Sequence, residues 1–293
     1  MPPVDDRQTY LLNGLITRHF GIGRIVRFRS VQRGRQAESF ELFTAEEKEY
    51  LVQLYATAFG EDQLDFAAGA VNTLDRHCFS VMPFLPSKNV VYVAEGPQNS
   101  RMVLSLAPAG SAMLPTQYST HDVSQVGLRL AWMHRLLLEQ LPRPKNFVPL
   151  KKRLPATNDT LHQLHGLLAM PTWQGWVHGD IQPQALLHDS DHQLRAITDW
   201  GLLHWGCPFE DLVDAFITLA TNVQGAFDRQ RGAALLEAYD SLVSIKRTPW
   251  TPVVASWCAQ RLLDQDRRSP PEGFVESVLP APERLATAMA SCV

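Results

Sequence analysis

Two aspartates, Asp180 and Asp199, stand 19 positions apart in the most information-dense stretch of this chain. The first ends the run Val177-His178-Gly179-Asp180, and the second lies in Ala196-Ile197-Thr198-Asp199-Trp200-Gly201. A third run, Gly206 to Leu212, follows and carries Asp211. Between the two aspartates, Leu186-Leu187 and Leu194 to Thr198 read as a two-strand ribbon with its turn at Asp189-Ser190-Asp191. A hairpin of that length returns the chain, so both carboxylates are expected near its open end, facing one site. Two carboxylates so placed suit phosphoryl transfer. One orients and deprotonates an attacking hydroxyl, and the other holds the magnesium that bridges the nucleotide phosphates.

The elements that must position them change character along the chain. The first hundred or so residues are β-rich. Ile25 to Ser30 reads as a strand, and Glu38 to Phe43 and Glu49 to Tyr55 read as two more around a polar turn at Thr44 to Lys48. Helical spacing of Phe66, Ala70, Val71 and Leu74 predicts a helix over 62–74, with Asp62 or Glu61 capping its start. Two short strands follow, Asn89 to Ala94 and Arg101 to Leu106, around a Gly96 to Asn99 turn. The loop Ala107-Pro108-Ala109-Gly110 marks a lobe boundary. Beyond it, Val126, Leu130, Met133 and Leu137 stripe a helix over 122–139. Further helices are expected over 159–170, 208–219, 228–243, 250–264 and in the tail, with a break at Pro270 to Gly273. Strands in front and helices behind predict an α+β fold in two lobes, 1–107 and 108–293, with a ligand in the cleft between them.

The three runs in order resemble the H-G-D-x-x-x-x-N catalytic loop, the metal-binding I-D-W/F segment and the G-x-P-x-x-D-L helix start of the aminoglycoside phosphotransferase superfamily. That superfamily includes choline kinase and type II homoserine kinase. The resemblance extends to Arg129 to His134, Gly34 to Phe40, Tyr50 to Tyr55, and Gly232 to Tyr239, the last similar to the late helix of the homoserine kinase branch. It implies a protein-kinase-like fold with a small β-rich N-terminal nucleotide lobe and a larger, mainly helical C-terminal lobe. It implies Asp180 as catalytic base beside His178, Asp199 as magnesium ligand, and Asp211 and His134 as supports. It also implies nucleotide contacts from Gly34, Arg35, Gln53 and the backbone at Leu106 and Ala107. The cofactors would be ATP and Mg2+, and the acceptor a small-molecule hydroxyl.

The departures from that pattern fall on the phosphate-handling positions. The asparagine five places after the base is replaced by Ala185, whose methyl cannot bind a metal. Neighbouring Gln184, or a water, is the candidate to stand in for it. The third-strand lysine is replaced by Gln53, an uncharged donor. Ala67 or Ala68 stands where the lysine's glutamate partner belongs. Two functional classes therefore compete: a small-molecule kinase, and a catalytically impaired pseudokinase serving as a binding or regulatory module.

Other classes fit less well. Charged residues are interspersed, the formal net charge is -3, and there is no basic stripe, which argues against nucleic acid. No apolar run spans a bilayer, and Met1 to Asp6 has no signal-peptide pattern. The cysteines Cys78, Cys207, Cys258 and Cys292 form no C-x-x-C pair, which fits a reducing, cytoplasmic compartment. His178, His192 and His204 lack zinc-ligand spacing. Gly21-Ile22-Gly23 lacks the third glycine of a dinucleotide loop. Trp132, Trp200 and Trp205 read as core, and Ser39 sits in no nucleophile elbow. An acceptor pocket is expected from 140–175 and 204–265, with His162, His165, Trp173, Asp214 and Tyr239 among its residues.

Overall fold

A computed structural model describes residues 6–31, 36–107, 110–145, 164, 167–168, 173–221, 226–263 and 282–293. The expected helix over 159–170 falls largely outside them, as do Gly34, Arg35 and the Pro270 to Gly273 break. The chain divides into two compact units. The first comprises Met1–Ala112 with Gln184–Gly201, and the second Met113–Pro183 with Leu202–Val293.

In the first unit, β1 (Ile25–Val31), β2 (Ala37–Thr44), β3 (Glu49–Tyr55), β4 (Ala94–Glu95) and β5 (Arg101–Leu106) form an antiparallel sheet in the order β1-β2-β3-β5-β4. The two-residue period of β3 decides what each of its faces does. Tyr50, Val52 and Leu54 point into a core built with Leu12, Ile16 and Phe20 of helix α1 (Asp6–Phe20). Leu51 points the other way, onto Met82, Leu187 and Ala196. Gln53 and Tyr55 share the side of Leu51. That second face meets a three-stranded sheet of β6 (Ser111–Ala112), β8 (Leu186–His188) and β9 (Leu194–Ile197).

Three local expectations change. Helix α1 has no counterpart in the sequence reading, although Leu12, Ile16 and Phe20 recur at helical spacing and are buried. Helix α2 spans Glu61–Arg76, but Gly60 is its N-cap and neither acid caps it; Glu61 and Asp62 lie in its first turn, where the helix dipole favours them. The run Asn89 to Ala94 is not a strand. Val90 sits at φ 64 in a turn closed by its N–H on the Ser87 carbonyl at 2.9 Å, so only Ala94 and Glu95 pair with β5.

The second unit is built on α3 (Thr120–Gln140), with α4 (Phe209–Leu219), α5 (Arg229–Asp240), α6 (Trp250–Leu263), α7 (Pro282–Ala290) and a two-strand ribbon of β7 (Gly175–Val177) and β10 (His204–Gly206). Ser119 starts α3 with a capping box: its hydroxyl accepts from Asp122 N–H, and the Asp122 carboxylate accepts from Ser119 N–H at 2.7 Å. Helix α3 packs on α5 at Gly127, where a Cβ would run into the Leu235 carbonyl oxygen. Gly127→Ala should therefore force the helices apart and cost about 1–3 kcal/mol, read as a lower denaturation midpoint. An unchanged midpoint would mean that the close approach is absent. Trp200 is core, 2% exposed, whereas Trp132 and Trp205 are only half-buried, the latter against the Trp176 ring at 5.4 Å. Among the described residues no helix is long and apolar enough to cross a membrane.

Candidate active site

The chain just past β7 makes a tight loop through His178, Gly179 and Asp180, and helix α4 holds it with two carboxylates. Asp211 and Asp214 are three residues apart on α4, so they share a face. Asp211 accepts from the His178 and Gly179 N–H groups, each at 2.8 Å. Asp214 accepts from the Ile181 N–H at 3.1 Å. Gly179 has φ 87, and a Cβ there would lie 2.9 Å from the Leu202 carbonyl oxygen, so the turn requires glycine. Asp211 was expected to support the loop backbone as well as cap its own helix, and only the loop contacts form. Pro208 is the N-cap, with no side-chain cap bond.

Behind Asp211 stand His134 of α3 and Tyr239 of α5. His134 Nε2 is 2.9 Å from Asp211 Oδ2, and Nδ1 is 2.8 Å from the Tyr239 hydroxyl. An ionised carboxylate only accepts, so Nε2 carries the proton there. Burial alone would raise the Asp211 carboxyl. The His134 hydrogen bond, the charges of His134 and His178 and the Gly179 N–H outweigh it and hold Asp211 below its ordinary value. Burial, then the Asp211 charge, push Tyr239 well above its usual value, which keeps its hydroxyl a donor.

Asp180 is 2% exposed and its Oδ1 accepts from Gln182 Nε2 at 2.6 Å and from Arg261 Nη1 at 3.1 Å. Arg261 comes from α6 and its other Nη2 donates to Asp214 Oδ1, as does Trp257 Nε1. Burial would lower the Arg261 guanidinium, but the charges of Asp214 and Asp180 prevail and hold it above its ordinary value. Sequence reasoning missed Arg261 and Gln182 altogether. Asp214 and Tyr239, expected in the acceptor-pocket segments, are buried and occupied with these internal contacts. Trp173 is 43% exposed, and His162 and His165 lie outside the described residues.

In the first unit, Asp199 takes the second position after β9 with φ 65, the left-handed region that aspartate tolerates and that recurs at functional sites. Two amides hold it. Gln36 Nε2 donates to the Asp199 carbonyl at 2.9 Å, and Gln53 Nε2 donates to Oδ1 at 3.3 Å. The residue in the lysine position thus reaches the carboxylate, delivering a dipole in place of a charge. Tyr55, on the same face of β3, is pushed well above its ordinary value by burial and then by the Asp199 charge. A Cβ on Gly201 would come within 2.6 Å of both Gln36 and Tyr55, so the Asp199-Trp200-Gly201 turn needs its glycine to lie this close. Ala107 N–H is bound to the Glu49 carbonyl at 3.1 Å, and Leu106 is 45% exposed at the end of β5.

The donors fit a hard divalent cation, although among the described residues no group of three His, Cys, Asp or Glu is placed to hold a metal ion. Magnesium takes oxygen ligands, commonly one or two from protein and the rest from phosphates and water. On the hairpin, Leu186 faces Ile197, and Thr198 N–H bonds the Ala185 carbonyl at 2.9 Å. One position further on, Gln184 and Asp199 lie at the same end of the ribbon. Gln184 Oε1 is buried and accepts no hydrogen bond among the described residues, which leaves its lone pairs unengaged there. Ala185 itself is buried, with its carbonyl committed to the ladder.

A family model described as "Phosphotransferase enzyme family" matches residues 31–243, taking in both the Asp180 loop and the Asp199 turn. The chain belongs to that family. Its fold is shared with solved kinases of low sequence identity. A microcompartment-associated aminopropanol kinase is 13% identical, covers 97% of this chain and 95% of its own, and superposes with a TM-score of 0.66. An amicoumacin kinase solved with AMP-PNP, Ca2+ and Ami is 11% identical over 98% of this chain and 94% of its own, TM-score 0.66. A choline kinase from Streptococcus pneumoniae is 12% identical over 98% and 100%, TM-score 0.59. Comparison with curated proteins finds no significant match. The kinase-like α+β fold expected from the sequence is the fold of this phosphotransferase family member.

Proposed function

We propose that this phosphotransferase-family protein is an ATP- and magnesium-dependent kinase that phosphorylates a small-molecule hydroxyl. The observation that carries the reading is the Asp180 loop. Its backbone N–H groups are held on both sides of the aspartate by Asp211 and Asp214, a pinning that sets one carboxylate in a fixed place. In phosphoryl transfer, positioning and charge neutralisation provide most of the rate. Asp180 orients the acceptor hydroxyl and takes its proton. Asp199 and Gln184 would hold magnesium, which would supply positive charge to neutralise the nucleotide phosphates. Gln53 and Gln36 fix Asp199, and the nucleotide meets the backbone near Leu106 and Ala107. The amicoumacin kinase, which shares the fold, was solved with an ATP analogue and a divalent ion, in line with this assignment.

A second reading has specific support: Gln53 supplies no charge, Ala185 no ligand, and Asp180 is already engaged by Arg261. Loss of one preorganised donor costs roughly 3–4 kcal/mol of transition-state stabilisation, so a pseudokinase that binds without turnover is the competing outcome. ATP consumption with magnesium over a panel of amino alcohols, sugars and aminoglycosides separates the two, with Asp180→Asn alongside. The expected result is turnover that falls on the order of 10^3-fold in the variant. Turnover indifferent to Asp180→Asn would remove the aspartate from its role. A melting temperature that rises with magnesium and ATP, without turnover by any acceptor, would establish the binding module instead.

A further inference from the structure

We propose that Arg261 is a positioning residue for phosphoryl transfer, fixing the Asp180 carboxylate through a two-pronged clamp anchored on Asp214. The inference rests on the kinase reading, because it assigns Arg261 a part in setting the group that meets the acceptor. The two prongs are distinct: Nη1 reaches Asp180 Oδ1 at 3.1 Å, while Nη2 donates to Asp214 Oδ1. Asp214 in turn accepts from Trp257, one turn before Arg261 on α6, and from the Ile181 N–H, one residue beyond Asp180. One carboxylate on α4 thus fixes both the loop backbone and the cation that fixes the loop's side chain. Gln182 Nε2 lands on the same Asp180 oxygen at 2.6 Å, so two donors from different directions set the carboxylate torsion.

Fold stability does not account for a cation here. Arg261 is 2% exposed, and burying a guanidinium costs several kcal/mol before its partners compensate; apolar side chains of similar volume commonly do as well or better. A buried charge placed on the one loop carboxylate that would meet substrate has a chemical use. An adjacent cation favours the ionised carboxylate, which accepts a hydroxyl proton and cannot donate one. It also offsets the negative charge of Asp180 where negatively charged phosphate must react. Lysine cannot replace it, since a single ammonium lacks the planar fork that spans two carboxylates.

The test compares wild type, Arg261→Lys and Arg261→Gln for kcat, for the KM of ATP and for melting temperature. Arg261→Lys is expected to fold and to lose about tenfold or more in kcat, with the KM for ATP within about threefold; Arg261→Gln should lose about a hundredfold. A drop in kcat with the KM for ATP unmoved and the fold retained is what a merely structural residue would not give. Should Arg261→Gln fail to fold, the lysine variant decides alone. The proposal falls if Arg261→Lys turns over like wild type, if the KM for ATP rises as far as kcat drops, or if neither variant folds. Wild type inert toward every acceptor overturns the kinase reading and this role with it. An active wild type matched by Arg261→Lys overturns the role alone.

Discussion

Asp199→Asn is expected to lower magnesium-dependent turnover by on the order of 10^3-fold while leaving the melting temperature almost unchanged. The separation of the two effects follows from the geometry. Asparagine adopts φ near 65 as readily as aspartate, the backbone carbonyl still accepts from Gln36, and an amide oxygen still accepts from Gln53. The fold therefore keeps its contacts. What goes is the one anionic oxygen donor at that end of the ribbon, and a hard dication is bound mainly by charge. Manganese serves as a paramagnetic probe that needs no turnover. Its affinity in the presence of AMP-PNP should drop sharply in Asp199→Asn and more modestly in Gln184→Leu, which removes the neutral oxygen. Manganese binding unaltered in both variants would place the metal elsewhere.

Much of this arrangement was legible because it is carried by short-range patterns. Strand β3 has the predicted bounds Glu49–Tyr55, and its period of two places Gln53 on the face that meets Asp199. The hairpin between 186 and 197 follows from two apolar runs around an aspartate turn, and Asp189 accepts from the N–H groups of Asp191 and Gln193, each at 2.9 Å. The same reasoning misread Asn89 to Ala94. Its β-branched residues have strand propensity, but propensity yields where a turn takes the backbone donors, and Val90 lies 81% exposed in that turn.

The parts that escaped the sequence are contacts with no local signature. Arg261 lies 81 positions from Asp180, on a helix whose pattern announces only a buried face. A charged residue near the end of a helix is ordinarily solvated, and only its burial against two carboxylates reveals a role. Asp214 was closer to reach. Its spacing of three from Asp211 puts both on one side of α4, and a second acid on the face that holds the loop is a signal that spacing rules could have used. Gln184 is legible only once the fold is known: it sits in the short turn before β8, next to Ala185, whose carbonyl accepts from the Thr198 N–H beside Asp199.

The largest stability effect is expected at Asp211. Asp211→Ala strands the N–H groups of His178 and Gly179 and the Nε2 of His134 in a dry interior, and removing one partner from such a buried network costs about 3–5 kcal/mol. A domain is stable by only about 5–15 kcal/mol, so the variant should be close to unfolding at physiological temperature. Asp211→Asn is the sharper probe. It keeps the volume, but all three groups facing Asp211 are donors, and the amide presents its own donor to at least one of them. The pH dependence carries the sign. The Asp211 carboxyl is held below its ordinary value in the folded protein, so the unfolded chain binds its proton first as pH falls. Its contribution is complete above the unfolded value of about 3.9 and is lost as pH drops through the lower folded value. The melting gap between wild type and Asp211→Asn should therefore be wide and level from about pH 5 to 8, then close under acid. A gap that widens below pH 4, or two proteins that melt together at pH 7, would mean that Asp211 does not hold the loop as an ionised carboxylate.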